Sequence, residues 1–485
     1  MDQKQSEANG QFKVHAFGKD ILIYSLGNGL LLLFGFIQVF VIAKYLSVED
    51  YGYWQLFILY STYVGLLHLG FIDGILMRWA GKELARVGDE IRTAFRFLIL
   101  EQVVVIVPLA LLLYFLIHPP VQWLWLMVLA YAFIMNLATF FAFTAQAVRK
   151  FGLVTAINVG RGLTFLIIII LLFIVGYLSY RYVVIANLIA VMLALFTFAF
   201  WFRKYLWGEK PTIPRLWAYG KENINIGIFV LFGNFIAVLL LTTDRLMVSS
   251  FFNIEQFAIY AFAQAVVVAV YIFVRAVAEV FFPHISVATP ALQNRAYRLG
   301  ESAIILAWAV LLAGYFPLAR LIEYYLPHYV SSLPVMQILL CSIGFGSLIQ
   351  ILHVNYYKVY RKQRQYFLWG ITALVITVLL VLLAIKVMGT LESVAIAILL
   401  SFGVWYIANE LSLKSTTGAN KKEPWRSLLI MVCYFAAFWL SSFLTDWFVA
   451  QMLIYVGFFL LVTGLALRSE VADLVAVVNK RRESK

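Results

Sequence analysis

Runs of about twenty apolar residues follow one another along nearly the whole chain, separated by short polar breaks. Each run is the length a helix needs to cross the hydrocarbon core of a bilayer. Inside that core every backbone amide must be satisfied internally, which leaves helices as the practical way to cross. The runs lie near 21–44, 54–76, 97–117, 121–147, 152–178 and 181–202. They resume near 224–250, 257–282, 300–323, 333–356, 366–388, 391–413, 427–447 and 450–467. The expectation is an all-α membrane protein with about 14 transmembrane helices. Composition agrees, since 64% of the 485 residues are hydrophobic and 13% are charged. A soluble domain carries roughly 25% charged residues.

Lys and Arg give the expected chain a direction. With the amino terminus inside, one side collects Lys4, Lys13 and Lys19, the Arg78–Arg96 cluster, Arg149-Lys150, five basic residues of 203–223, Arg295 and Arg298. The same side takes Lys358–Arg364, Lys414, Lys421, Lys422, Arg426 and the basic tail, while the outer ends hold Lys44, Arg181, Arg320 and Lys386. By the positive-inside rule both termini are cytoplasmic. The net charge of +13 therefore belongs to membrane-flanking loops, and nucleic acid is not an expected partner. The first run is too long for a signal-peptide core and reads as a retained helix.

The polar segment 203–223 contains two prolines and five basic residues and divides the runs six and eight. The expected organisation is a cytoplasmic segment 1–20, a six-helix bundle 21–202, the cytoplasmic linker 203–223, and a second six-helix bundle 224–413. Two additional helices over 427–467 and a basic tail 468–485, read as a short amphipathic surface helix, complete it. The chain also resembles itself. YLSVEDYGYWQLF at 45–57 matches FFNIEQFAIYAFA at 251–263, pairing Glu49 with Glu255, Tyr51 with Phe257, Gly52 with Ala258 and Trp54 with Tyr260. At the same offset Asp73 falls on Glu279. Six runs separate the copies, so they share an orientation, as in transporters built from parallel repeats with a substrate path between the halves.

The repeat segments also resemble a known family. IAKYLSVEDYGYWQLF and the following LGFIDGILMRWAGK are similar to the polysaccharide flippase family of the MOP exporter superfamily. So are TTDRLMVSSFFNIEQFAIYAF, FFPHIS at 281–286 and LPHYVSSLPVMQIL at 326–339, although Ala258 stands where that family usually has glycine. The resemblance implies a MOP/MATE-like fold of two pseudo-symmetric six-helix bundles. It implies export of undecaprenyl-pyrophosphate-linked oligosaccharide, such as O-antigen or exopolysaccharide units, from the inner to the outer leaflet of a bacterial cytoplasmic (inner) membrane. The partners it implies are the lipid-linked glycan, membrane lipids, a coupling ion (H+ or Na+), and the polymerase and glycosyltransferases of surface polysaccharide synthesis.

A pyrophosphate glycan needs a wet cavity with cations for its phosphates, and intramembrane arginine is tolerated where it faces such a cavity. Arg161 is the foremost candidate, about nine residues and roughly 13 Å from the inner end of its run. Asn158 lies three residues earlier on the same face. The bland alternative for Arg161 is a snorkelling or structurally paired side chain. Arg275 and Glu279 are four apart and read equally as a helix pair or as a cavity cation with a regulating carboxylate. Asp244 and Arg245 are further substrate-cavity candidates; being adjacent they point in different directions, so that one faces the cavity and the other the headgroups. Asp73, in the Gly70–Gly74 stretch that also permits close helix packing, is a coupling or gating candidate or an interfacial charge.

The six histidines are scattered and give no metal spacing, and Cys341 and Cys433 read as small buried hydrophobes. No Walker lysine, nucleophile elbow or dinucleotide fingerprint occurs, so neither a cofactor nor enzymatic catalysis is expected. A multidrug or cation antiporter of the same superfamily would favour an acidic, aromatic cavity. A membrane glycosyltransferase or polymerase would need a large outward loop, which the short outer breaks do not offer.

Overall fold

The computed structural model describes residues 29–31, 33–118, 121–177, 179–208, 212–286, 288–417, 423–473 and 476. Every regular element among them is helical. Among the described residues eleven helices are long and apolar enough to cross a membrane, or up to thirteen when each of two bent pairs counts as one span. The expected first run, 21–44, lies partly outside the described residues; its described part is the shorter apolar helix α1, Gly29–Tyr45. The chain divides into two compact units between Leu239 and Leu240.

The first unit contains α1, α2 (Val48–Ser61), α3 (Phe71–Trp79), α4 (Leu84–Leu116), α5 (Val121–Ala147), α6 (Phe151–Val175) and α7 (Tyr180–Leu206). It ends within α8 (Ile213–Phe251). Segment 203–223, expected as a linker, is thus helical to Leu206 and again from Ile213. Helix α5 lies against α3, α4 and α7, and an aromatic core of Phe71, Trp79, Phe97, Phe140, Phe141 and Phe202 fills the space between them. Helix α3 meets α8 almost backbone to backbone. A Cβ on Gly227 would lie 1.9 Å from the Gly70 carbonyl oxygen, and one on Gly74 would lie 2.0 Å from that of Asn223. The GFIDG stretch therefore serves as the close-packing surface that its glycine spacing suggests.

The second expected run, 54–76, is not one straight helix. Helix α2 stops at Ser61, a single 3-10 turn spans Val64–His68, and α3 continues at an angle of 64°. Leu69 and Gly70 are both left-handed, at φ 48° and 84°. For a branched apolar residue such as Leu69 that conformation is strained and needs outside support.

The second unit contains the rest of α8, then α9 (Ile254–Ser286), α10 (Pro290–Ala313), α11 (Tyr315–Tyr325) and α12 (Leu333–Leu348). A π turn at Ile349–His353 leads into α13 (Val354–Val359), followed by α14 (Gln363–Val387) and α15 (Leu391–Thr417). Helix α12 is its axis: every residue from Leu333 to Leu348 except Pro334 is buried. Helices α16 (Glu423–Phe443) and α17 (Phe448–Ala466) form the terminal pair. Tyr455 ties the pair to α10 by donating to the Ala309 carbonyl at 2.6 Å, and Gln337 of α12 donates to Ser442 at 2.7 Å. The outward faces of α17 are almost wholly exposed, as expected of a helix at the lipid boundary. Cys341 is buried, but Cys433 is exposed on α16, on the same open face as the exposed Leu429 and Val432.

The internal repeat has a local physical basis. Ser47 caps α2, its Oγ accepting from the Asp50 amide at 3.1 Å. At the corresponding position Asn253 caps α9: its Oδ1 accepts from the Gln256 amide at 2.8 Å, and the Gln256 side chain accepts from the Asn253 amide at 3.3 Å. The second arrangement is a reciprocal capping box. Tyr51 and Phe257 then turn to the interior of their respective units, as do Trp54 and Tyr260. The likeness fades further on, since α9 continues unbroken over the stretch where α2 gives way to the 3-10 turn.

Candidate functional site

Arg161 projects from the middle of α6 and is half-buried. Its Nη1 lies 3.5 Å from the Met135 sulfur on α5, and the charge is within electrostatic reach of the Tyr131 hydroxyl. Among the described residues no carboxylate pairs with it. One residue further, the Gly162 carbonyl accepts from Gln38 of α1 at 3.2 Å, so α1 lies alongside this part of α6. Asn158 is half-buried one turn earlier. A polar strip therefore runs along α6 with one unneutralised cation, suited chemically to an anionic group.

Asp73 lies elsewhere in the first unit. It is buried in the first turn of α3, with Oδ2 3.9 Å from Nε2 of the equally buried His68. Arg78, one helical turn beyond, pairs with Glu222 at 2.9 Å and Glu90 at 3.5 Å and lies over the Tyr219 ring. Glu90 also accepts from Trp79 Nε1 and the Tyr219 hydroxyl, each at 3.1 Å. These pairs hold α3, α4 and α8 together at one end and leave Asp73 to the helix break.

In the second unit Asp244 is buried, whereas Arg245 is half-buried with Nε unpartnered among the described residues. Asp244 accepts from the Tyr260 hydroxyl at 2.9 Å and from the Gln264 side chain. Of the two neighbours, only the carboxylate is held in a hydrogen-bond network among the described residues. The side chains of Arg275 and Glu279 lie outside the described residues.

Two buried polar networks escape a reading of the chain alone. In the first unit Gln102 donates through Nε2 to the Leu67 carbonyl and to Glu101 Oε2, each at 2.9 Å. Asn136 donates to Gln102 Oε1 at 2.9 Å and to the Val64 carbonyl at 3.1 Å. Glu101, Gln102 and Asn136 are all buried. Gln102 and Asn136 supply the donors that the unwound turn between α2 and α3 lacks.

In the second unit the π turn presents His353 to Glu410 at 2.7 Å, and Lys414 pairs with the same carboxylate at 2.8 Å. Tyr297 donates to Glu410 as well, while Tyr406 donates to Glu301 at 3.0 Å. All are buried or nearly so, Glu410 and His353 completely. Lys414, counted above among the loop cations, is instead an interior residue of α15. Among the described residues no group of three or more His, Cys, Asp or Glu could hold a metal ion.

Residues 17–288 match the model of a family described as polysaccharide biosynthesis protein. Among solved structures, the fold is similar to that of the lipid II flippase MurJ in an inward closed conformation. The TM-score is 0.64 at 15% identity, covering 93% of this chain and 100% of that one. It is also similar to an inward-facing multidrug resistance MATE family transporter of the MOP superfamily, with a TM-score of 0.59 at 14% identity over 82% of this chain and 95% of that one. At these identities the likeness is one of fold. Among curated proteins none matches the chain in sequence.

Proposed function

The chain belongs to the polysaccharide biosynthesis protein family, and from that premise we propose that it is a flippase for a lipid-linked oligosaccharide. The cargo is an undecaprenyl-pyrophosphate glycan carried from the inner to the outer leaflet of a bacterial cytoplasmic membrane for surface polysaccharide synthesis. Transport proceeds by alternating access of two six-helix bundles, 21–202 and 224–413, with both chain ends cytoplasmic and an ion gradient or the membrane potential as energy source. The chain acts as a transporter and not as an enzyme.

One observation carries this reading: Arg161 stands in a membrane helix with no described carboxylate to neutralise it. A cation in that setting is expensive unless an anion visits it, and the diphosphate of the cargo is such an anion. Asn158 on the same face would hydrogen-bond the head group, and Arg245 and Arg275 are further cations for it. Asp73 and Glu279 are the carboxylates assigned to coupling. The test is surface glycan in cells carrying Arg161→Ala, measured beside protein level and membrane insertion. Glycan is expected to disappear while level and insertion hold, and Arg161→Lys should keep part of the activity. Normal export in the Ala variant removes Arg161 from the mechanism.

A second reading, a cation or multidrug antiporter, draws support from the buried Asp244 with its Tyr260 and Gln264 donors. It predicts that Asp244→Asn abolishes cation efflux while Arg161→Ala spares it. The flippase reading predicts that glycan export fails with Arg161→Ala.

A further inference from the structure

Glu101 sits midway along α4, with 7% of its surface exposed. Its Oε2 accepts from Gln102, but its Oε1, also buried, has no hydrogen-bond partner among the described residues. No described cation pairs with it either. A carboxylate placed so deep with a single donor is strongly disfavoured unless its charge is neutralised.

The surroundings choose the neutralising species. A hard metal ion needs a shell of several oxygens. Here the nearby oxygens already accept hydrogen bonds: the Leu67 carbonyl from Gln102, the Val64 carbonyl from Asn136, and Gln102 Oε1 from Asn136. A single carboxylate oxygen remains, which is enough for a proton and too little for a metal.

Other titratable groups on the elements packed around α4 are few at this level. The 3-10 turn brings His68 and α3 brings Asp73, which face each other at 3.9 Å, and His68 Nδ1 is unpartnered among the described residues. Helix α5 carries only Tyr131, and α7 has its titratable residues at its ends, Tyr180–Tyr182 and Arg203–Tyr205. On α8, Tyr219 and Glu222 are engaged with Glu90 and Arg78. On α4 itself Glu90 is taken up by Arg78, and Arg96 lies more than one turn away.

We propose that Glu101 is a proton-binding site of the first unit and that its proton controls the break between α2 and α3. The proton arrives from water, forms an O–H bond at Oε1, and returns to water when that bond breaks. The link to the break is Gln102, whose amide is shared between Glu101 and the Leu67 carbonyl. An ionised carboxylate is the stronger acceptor and draws the amide toward itself. Leu67 then loses its donor, and the turn holding the strained Leu69 opens to water.

The test uses the full chain purified into lipid nanodiscs. Infrared spectra of the wild type at neutral pH should show a protonated-carboxyl band that Glu101→Gln removes, Glu101→Asp shifts, and exchange of Na+ for K+ leaves unchanged. Across the pH range in which that band fades, amide hydrogen exchange over residues 62–70 should climb above that of Glu101→Gln and then hold a constant excess once the band is gone. Below that range the two proteins should match. Should the Gln variant fail to fold, the band shift in Glu101→Asp carries the test. A band unchanged in both variants, a band displaced by Na+, or equal exchange at all pH values overturns the proposal.

Discussion

The two units carry buried polar networks of opposite character. In the first, amides dominate: Gln102 and Asn136 patch an unwound turn, and one carboxylate oxygen of Glu101 is left over. In the second, charges dominate: Glu410 is gripped by His353, Lys414 and Tyr297 around a π turn that never breaks the helix. Both occur where a membrane helix departs from α geometry, and such departures survive only where protein groups replace the lost backbone bonds. The comparison teaches that a shared repeat sets where helices begin and not what their interiors do. An amide network with a spare carboxylate oxygen can change state, whereas a network built on ion pairs clamps helices together.

Replacing Glu410 puts the contrast under the greatest stress. Glu410→Ala removes the carboxylate that His353, Lys414 and Tyr297 share, a change that typically costs about 3–5 kcal/mol. Gln102→Ala removes neutral partners only and should cost about 1–3 kcal/mol. Thermal unfolding of both variants in one detergent measures the difference, and equal losses would erase the distinction between clamp and patch.

A smaller effect separates the close contacts of the two units. A Cβ at Gly227 meets the rigid Gly70 backbone, whereas a Cβ at Gly346 meets the hydroxyl of Tyr271, a side chain that can rotate. Gly227→Ala should therefore lower stability by about 1–3 kcal/mol, and Gly346→Ala by distinctly less. If the order reverses, the α3–α8 contact is softer than its geometry indicates.

The smallest effect concerns the likeness between the units. Ser47→Ala and Asn253→Ala each delete an N-cap and should each cost about 1 kcal/mol. Asn253 should be the more sensitive, because its side-chain bond to the Gln256 amide is shorter than that of Ser47 to the Asp50 amide, 2.8 Å against 3.1 Å. Chemical denaturation of the two single variants decides it.

Much of this was legible along the chain. The apolar runs located the helices, and the capping residues of the repeat stand where the matched segments put them. Arg161 was conspicuous because a guanidinium surrounded by Ile, Leu and Phe has few innocuous explanations. Glu101 was invisible for the opposite reason. A twenty-residue ruler puts it near the edge of the run 97–117, where a carboxylate reads as interfacial, but α4 extends from Leu84 to Leu116. Lys414 likewise resembles a loop cation until Glu410 and its neighbours enclose it. The break between α2 and α3 was not read along the chain either, since no local residue reveals which distant amides would support the turn.

The chain by itself determined what depends on near neighbours: the apolar length of the helices, the clustering of Lys and Arg in the breaks, helix caps, and the glycine spacing that lets α3 and α8 touch. These follow from lipid thickness, membrane-surface charge and backbone sterics, which act over a few residues. Only the tertiary structure decided which carboxylates are neutralised and which are not. Gln102 meets Leu67 across 35 positions, Glu410 meets His353 across 57 and Tyr297 across 113. Burial and pairing arise when helices pack, and no periodicity along one helix records which partner will face it.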